Sequence, residues 1–112
     1  MGVYVSVTGF RPHPGLARLA RFWWRTWRAA QQARRAPGNL RAELRPAGGI
    51  YHTMTVWTDE ASMRAYVRSG AHRRAMIGFR DLGGGRTLGF AADAEPSWEV
   101  AYARWQREAR EV

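Results

Sequence analysis

Residues 40–57 read LRAELRPAGGIYHTMTVW, and this stretch decides the fold. Leu40, Ala42 and Leu44 alternate with Arg41, Glu43 and Arg45, which predicts a strand with one wet face over 40–46. Pro46-Ala47-Gly48-Gly49 reads as a turn. Ile50, His52, Met54 and Val56 then share one side of a strand over 50–57, and Tyr51, Thr53, Thr55 and Trp57 share the other. So short a connection joins the two as an antiparallel hairpin. Alternation says which side chains share a face. It does not say which face of the sheet His52 occupies.

Upstream, Val3, Val5 and Val7 alternate with Tyr4, Ser6, Thr8 and Phe10, predicting a first strand over 3–10. The cluster Arg11-Pro12-His13-Pro14-Gly15 ends it. A helix follows over 16–35, with Leu16, Leu19, Ala20, Trp23, Trp27 and Ala30 as the expected buried stripe. Arg18, Arg21, Arg25 and Arg28 are expected on its wet side, and Pro37-Gly38-Asn39 stops it.

Downstream, Thr58 or Asp59 caps a helix whose inward residues are Met63, Tyr66 and Val67. Ser69-Gly70 interrupts it, and a further turn or two carries Ala71, His72, Ala75, Met76 and Phe79. Gly83-Gly84-Gly85 reads as a flexible turn. It leads into a strand rather than a helix, the reverse of a phosphate-cradling loop. A strand over 86–93 precedes a last helix opened by Pro96-Ser97, with Trp98, Ala101, Tyr102, Trp105 and Ala109 as its stripe.

The order is that of an α+β, ferredoxin-like βαββαβ domain with an added C-terminal helix and a four-stranded antiparallel sheet, all in one domain over residues 1–112. Helices are expected to cover one sheet face. The other face would be an exposed apolar surface, which points to a homodimer packed through the sheet.

Composition removes several functions. With no cysteine among 112 residues there is no thiol catalysis, disulfide or Cys-based zinc site. No apolar run is long enough to span a bilayer, and no membrane partner is expected. Nothing at the start reads as a secretory signal. Met1-Gly2 with Ser6 matches a myristoylation pattern but reads better as the first strand, so a cytoplasmic location is expected. All eighteen basic residues are arginine, against nine acids, for a formal charge of +9. They are spread along the whole chain rather than clustered, so nucleic acid is not the expected partner.

No nucleophile elbow and no carboxylate pair are present. The polar candidates are His52 and His72. A histidine on an apolar strand face, as His52 is, is more often a hydrogen-bonded core residue, and His72 could equally pack or cap a helical turn. If the two face one cleft, they could exchange a proton. His13, between two prolines, is expected to be idle. No acid lies within four positions of either histidine, Asp59 and Glu60 standing at longer range, so a two-His–carboxylate metal site is not expected. Six Trp, four Tyr and four Phe offer walls for a flat apolar ligand.

The run Thr55-Val56-Trp57, then Met63-Arg64-Ala65-Tyr66, then Ser69 and His72-Arg73, with Pro96 and Trp98 later, resembles the dimeric α/β-barrel superfamily of antibiotic-biosynthesis and heme-degrading monooxygenases. It is more specifically similar to an uncharacterised group related to spheroidene monooxygenase. The resemblance implies a ferredoxin-like protomer, a sheet-to-sheet dimer and a cleft between sheet and helices. It implies oxygenation of an electron-rich small molecule without a cofactor, or heme binding. Where the heme-degrading branch has a Trp and an iron-ligating His, this chain has Tyr66 and Met76, and the first-strand Asn of that branch has no counterpart. The expected site is therefore His52 and His72 as the catalytic groups. Trp23, Trp27, Trp57, Tyr66 and Met76 form its walls, and Arg73 attracts an anionic group.

Overall fold

The computed structural model describes residues 2–12, 15–69 and 83–111. Strand β1 (Val3–Pro12) leads into helix α1 (Leu16–Arg35), then the hairpin of β2 (Asn39–Ala47) and β3 (Ile50–Trp57). Helix α2 (Glu60–Val67), strand β4 (Gly83–Ala92), helix α3 (Trp98–Glu108) and a short strand β5 (Arg110–Glu111) follow. The strands make one antiparallel sheet in the order β2-β3-β1-β4-β5. This is the ferredoxin-like α+β arrangement that the sequence predicts, with its added helix. The sheet has five strands rather than four, because a two-residue strand is too short to show alternation.

Local chemistry sets the joints. The hairpin closes through Gly48 and Gly49, both at positive φ (60° and 76°), as a two-residue primed turn requires. Asp59 caps α2 by accepting from the Ser62 backbone N–H at 2.7 Å. Ser97 caps α3 by accepting from Val100 N–H at 3.3 Å.

Register separates the two faces. Val5 lies opposite Val56 and Phe90, and Val7 opposite Met54 and Leu88. With Ala101 and Trp105 of α3 these form the main core. One residue along, Ser6 lies opposite Thr55 and Gly89, and Thr8 opposite Thr53 and Thr87. That second face takes α1 and α2, through Ala33, Ala42, Trp57, Tyr4, Met63 and Tyr66.

Three expectations are corrected. The face expected to be bare is crossed by α3, so both faces carry helices. Among the described side chains of α1 the buried ones are Thr26, Ala30 and Ala33, Ala30 as expected, while Ala20 and Trp27 are exposed and Trp23 is 37% exposed; the side chains of Leu16 and Leu19 are not among those described. Small residues let α1 lie close to the sheet, with Ala33 against Ala42, while the indoles of Trp24 and Trp27 are turned outward. Gly83, Gly84 and Gly85 are not a flexible turn but the start of β4, paired with Pro12, Arg11 and Phe10. The turn or two of helix expected at 71–79 lies outside the described residues.

Candidate functional site

The face beneath α1 and α2 is the one built for polar contact. Ser6 and Thr8 of β1, Thr53 and Thr55 of β3, and Thr87 of β4 share it and are all half-buried, whereas their neighbours Val5, Val7, Met54 and Val56 on the other face are fully buried. The Thr8 and Thr87 hydroxyls bond to each other at 3.0 Å. Aromatic walls flank this row. Trp23 meets Tyr51 edge-on at 4.9 Å between ring centroids, and Trp57 meets Tyr66 at 5.3 Å. Tyr66 is anchored to α1 by donating its hydroxyl to the Ala29 carbonyl at 2.8 Å, and burial pushes its pKa up to about 12. Tyr66 is therefore a neutral phenol at any physiological pH.

Two buried polar atoms in this layer have no hydrogen-bond partner: Thr26 Oγ1 on α1 and Trp57 Nε1 on β3. Buried donors and acceptors are nearly always satisfied, so an unmet one is a place where a bound polar group would gain most. Along α1, Thr26 falls between Trp23, which meets Tyr51, and Ala33, which packs near Trp57.

His52 is on the opposite face, beneath α3. It is 1% exposed and sits among the rings of Trp98, Tyr102 and Trp105 at centroid distances of 5.3, 5.1 and 4.6 Å. Its Nδ1 bonds to the Arg45 carbonyl at 3.1 Å, so Nδ1 carries the proton and Nε2 is the bare acceptor, also unpartnered. Burial lowers its pKa.

The expected single site is thereby divided by the sheet. Trp57 and Tyr66 come together, and Trp23 stands on the same side against Tyr51. Trp27 turns outward and stacks on Trp24 at 5.8 Å. His52 does not join them. His72, Arg73, Met76 and His13 lie outside the described residues. Heme does not fit His52: its only unengaged nitrogen is enclosed by three rings, and an axial ligand needs open access to the metal. Among the described residues no group of three His, Asp or Glu side chains could hold a metal ion.

Sequence reasoning missed the hydroxyl row and Thr26. The signal was present, since Ser6, Thr8, Thr53 and Thr55 alternate in step with Tyr4 and Trp57. Thr reads first as a strand former, however, and its hydroxyl is easily discounted. Thr26 lies inside an apolar helical run, where a single polar residue is easily passed over.

Residues 4–77 match the antibiotic biosynthesis monooxygenase family. No curated protein matches the chain. Among solved structures it is similar to SnoaB, a cofactor-independent oxygenase from Streptomyces nogalater, at 21% identity and TM-score 0.66, over 88% of this chain and 98% of that one. It is similar to a putative antibiotic biosynthesis monooxygenase from Caulobacter crescentus at 17% identity and TM-score 0.70, over 85% and 92% of the two chains. A further putative member, from Nitrosomonas europaea, gives 14% identity and TM-score 0.69, over 82% and 89%. At such identities the likeness shows the fold.

Proposed function

Because the chain belongs to the antibiotic biosynthesis monooxygenase family, we propose that it is a small monooxygenase-like enzyme whose substrate, an apolar or aromatic molecule, lies between the hydroxyl face of the sheet and helices α1 and α2. The observation that carries this reading is the contrast between the two sheet faces. One is apolar, with a fully buried centre of Val5, Val7, Met54 and Val56. The other presents a row of half-buried Ser and Thr residues, two unpartnered buried polar atoms and aromatic walls. A flat substrate would rest against Trp57 and Tyr66, and its oxygens would meet Trp57 Nε1 and the hydroxyls of Thr26, Thr53 and Thr55. This is the usual composition of a small-molecule site, mostly apolar with a few convergent polar groups.

The name of SnoaB supports a reaction without a cofactor. For a methylene activated by flanking aromatic rings the balance is complete. The carbon loses two hydrogens and gains one oxygen atom as a carbonyl, and the second oxygen atom leaves with those hydrogens as water. The substrate supplies all four electrons. We assign removal of the first proton to His72, with Arg73 steadying the anion and Met76 as a further wall. His52, bonded to Arg45 on the other face, takes no part in this reading. A place near the group related to spheroidene monooxygenase belongs to the same proposal. So does a homodimer through the sheet.

The test supplies an anthrone-type substrate and isotopically labelled dioxygen to the full chain. The product should carry one labelled oxygen. His72→Ala should lower turnover by about a hundredfold with an unchanged melting temperature. No labelled product above the protein-free control would end the enzymatic reading.

A further inference from the structure

Helix α1 holds six arginines, Arg18, Arg21, Arg25, Arg28, Arg34 and Arg35, and no Asp or Glu anywhere over Leu16–Arg35. Elsewhere the pattern differs. Arg41 and Arg45 pair with Glu43, Arg64 with Glu60 at 2.8 Å, and Arg104 with Glu108 at 2.8 Å. Among the described residues no carboxylate pairs with Arg21, Arg25, Arg28, Arg34 or Arg35. Arg34 bonds to the Ala42 carbonyl at 3.0 Å, and Arg28 lies over the Trp24 ring at 5.9 Å.

The outward face of α1 is not merely charged. Ala17, Arg21, Trp24, Arg28 and Arg35 recur at helical spacing and are exposed, with Trp27 beside them. Trp24 is 59% exposed and Trp27 51%. Exposed indoles cost solvation, and here they interleave with uncompensated guanidinium groups. Trp is favoured at the headgroup level of a bilayer, where its apolar ring and N–H meet matching surroundings, and arginine pairs with lipid phosphate.

We propose that the outer stripe of α1 docks this protein on an anionic lipid surface. This revises the expectation that membranes play no part. The contact is peripheral, since among the described residues no helix is long and apolar enough to cross a bilayer. Two other occupants fit less well. A second copy of the chain, set against this stripe by a two-fold axis, would bring arginine against arginine. Single-stranded nucleic acid uses open aromatic faces for stacking, whereas Trp24 is already engaged by Trp27 and Arg28.

The test is co-sedimentation of the full chain with vesicles of mixed phosphatidylglycerol and phosphatidylcholine, against vesicles of phosphatidylcholine alone. Binding should require the anionic lipid and weaken with salt. Trp24→Ser, which keeps the net charge, should lower partitioning by about tenfold, and Arg21→Glu with Arg28→Glu by more. The charge-matched control, Arg107→Glu with Arg110→Glu, should bind nearly as wild type. Circular dichroism checks that each variant is folded. Equal loss in both double variants would make the effect one of net charge and overturn the proposal. So would retained binding in Trp24→Ser, a change of mass in that variant by light scattering, or displacement from vesicles by a single-stranded oligonucleotide at equal concentration.

Discussion

His52 is held by one hydrogen bond and enclosed by three aromatic rings. Burial disfavours its charged form and depresses its pKa from the ordinary value of 6.5, so the unfolded chain takes up the proton first. The sign follows: what His52 contributes to stability is complete above about 6.5 and is lost as pH falls from there through the lower folded value. Wild-type melting temperature should therefore drop on acidification through this range. His52→Asn, which can still donate to the Arg45 carbonyl, should show a shallower drop. An identical pH profile in the two proteins would remove His52 as the cause. Gly9 belongs to the same packing, because a Cβ there would overlap the Trp105 ring and crowd His52. Part of this was legible in the sequence: alternation grouped His52 with Ile50, Met54 and Val56, and a histidine on so apolar a face reads first as a hydrogen-bonded core residue, as it is. The identity of the face was left open. The partners that settle it, Trp98, Tyr102 and Trp105, are more than forty positions away.

Helix α3 is eleven residues long, and Trp105 is its main anchor. The indole is buried, donates to the Arg86 carbonyl at 3.0 Å and has the Arg86 guanidinium over its ring at 5.3 Å. Trp105→Ala should destabilise the fold by about 3–5 kcal/mol, measured by denaturant unfolding. A loss below ~1 kcal/mol would mean that α3 is not seated as described. The stripe of this helix was readable because Trp98, Ala101, Tyr102 and Trp105 stand on one side and little else in it is large. Helix α1 was not readable in the same way. Its apolar residues run nearly all round, so spacing alone allowed either the tryptophans or the small residues to face the sheet. Close packing chose Thr26, Ala30 and Ala33. The hairpin was the most legible element, since its alternation and its paired glycines agree. Within the candidate site, Trp57 and Tyr66 were legible as bulky residues on one strand and one helix. The hydroxyl row was hidden in the same alternation that identified the strands.

The whole molecule has two unlike sides. Beneath α3 the sheet is closed and apolar at its centre, yet Val3, Ile50, Leu88 and Ala92 are only partly covered and Val100 stands 59% exposed. One helix does not finish that face, which supports the proposed homodimer. Light scattering at micromolar concentration should give twice the 12.7 kDa chain mass, and a monomer mass would remove the proposal. The sheet edges are also unlike. At β2 the outer edge carries Arg41, Glu43, Arg45 and Pro46, with a register shift between Asn39 and Arg41. Charge, proline and irregular register all discourage a foreign strand from pairing there. At the other edge, among the described residues, β5 pairs with β4 at Arg86 and Thr87. Those two pairs cover the middle of the β4 edge, so a shortened C-terminus would lengthen the run of β4 open to strand addition from a neighbouring chain and make a concentrated solution of this protein more prone to fibrils during storage.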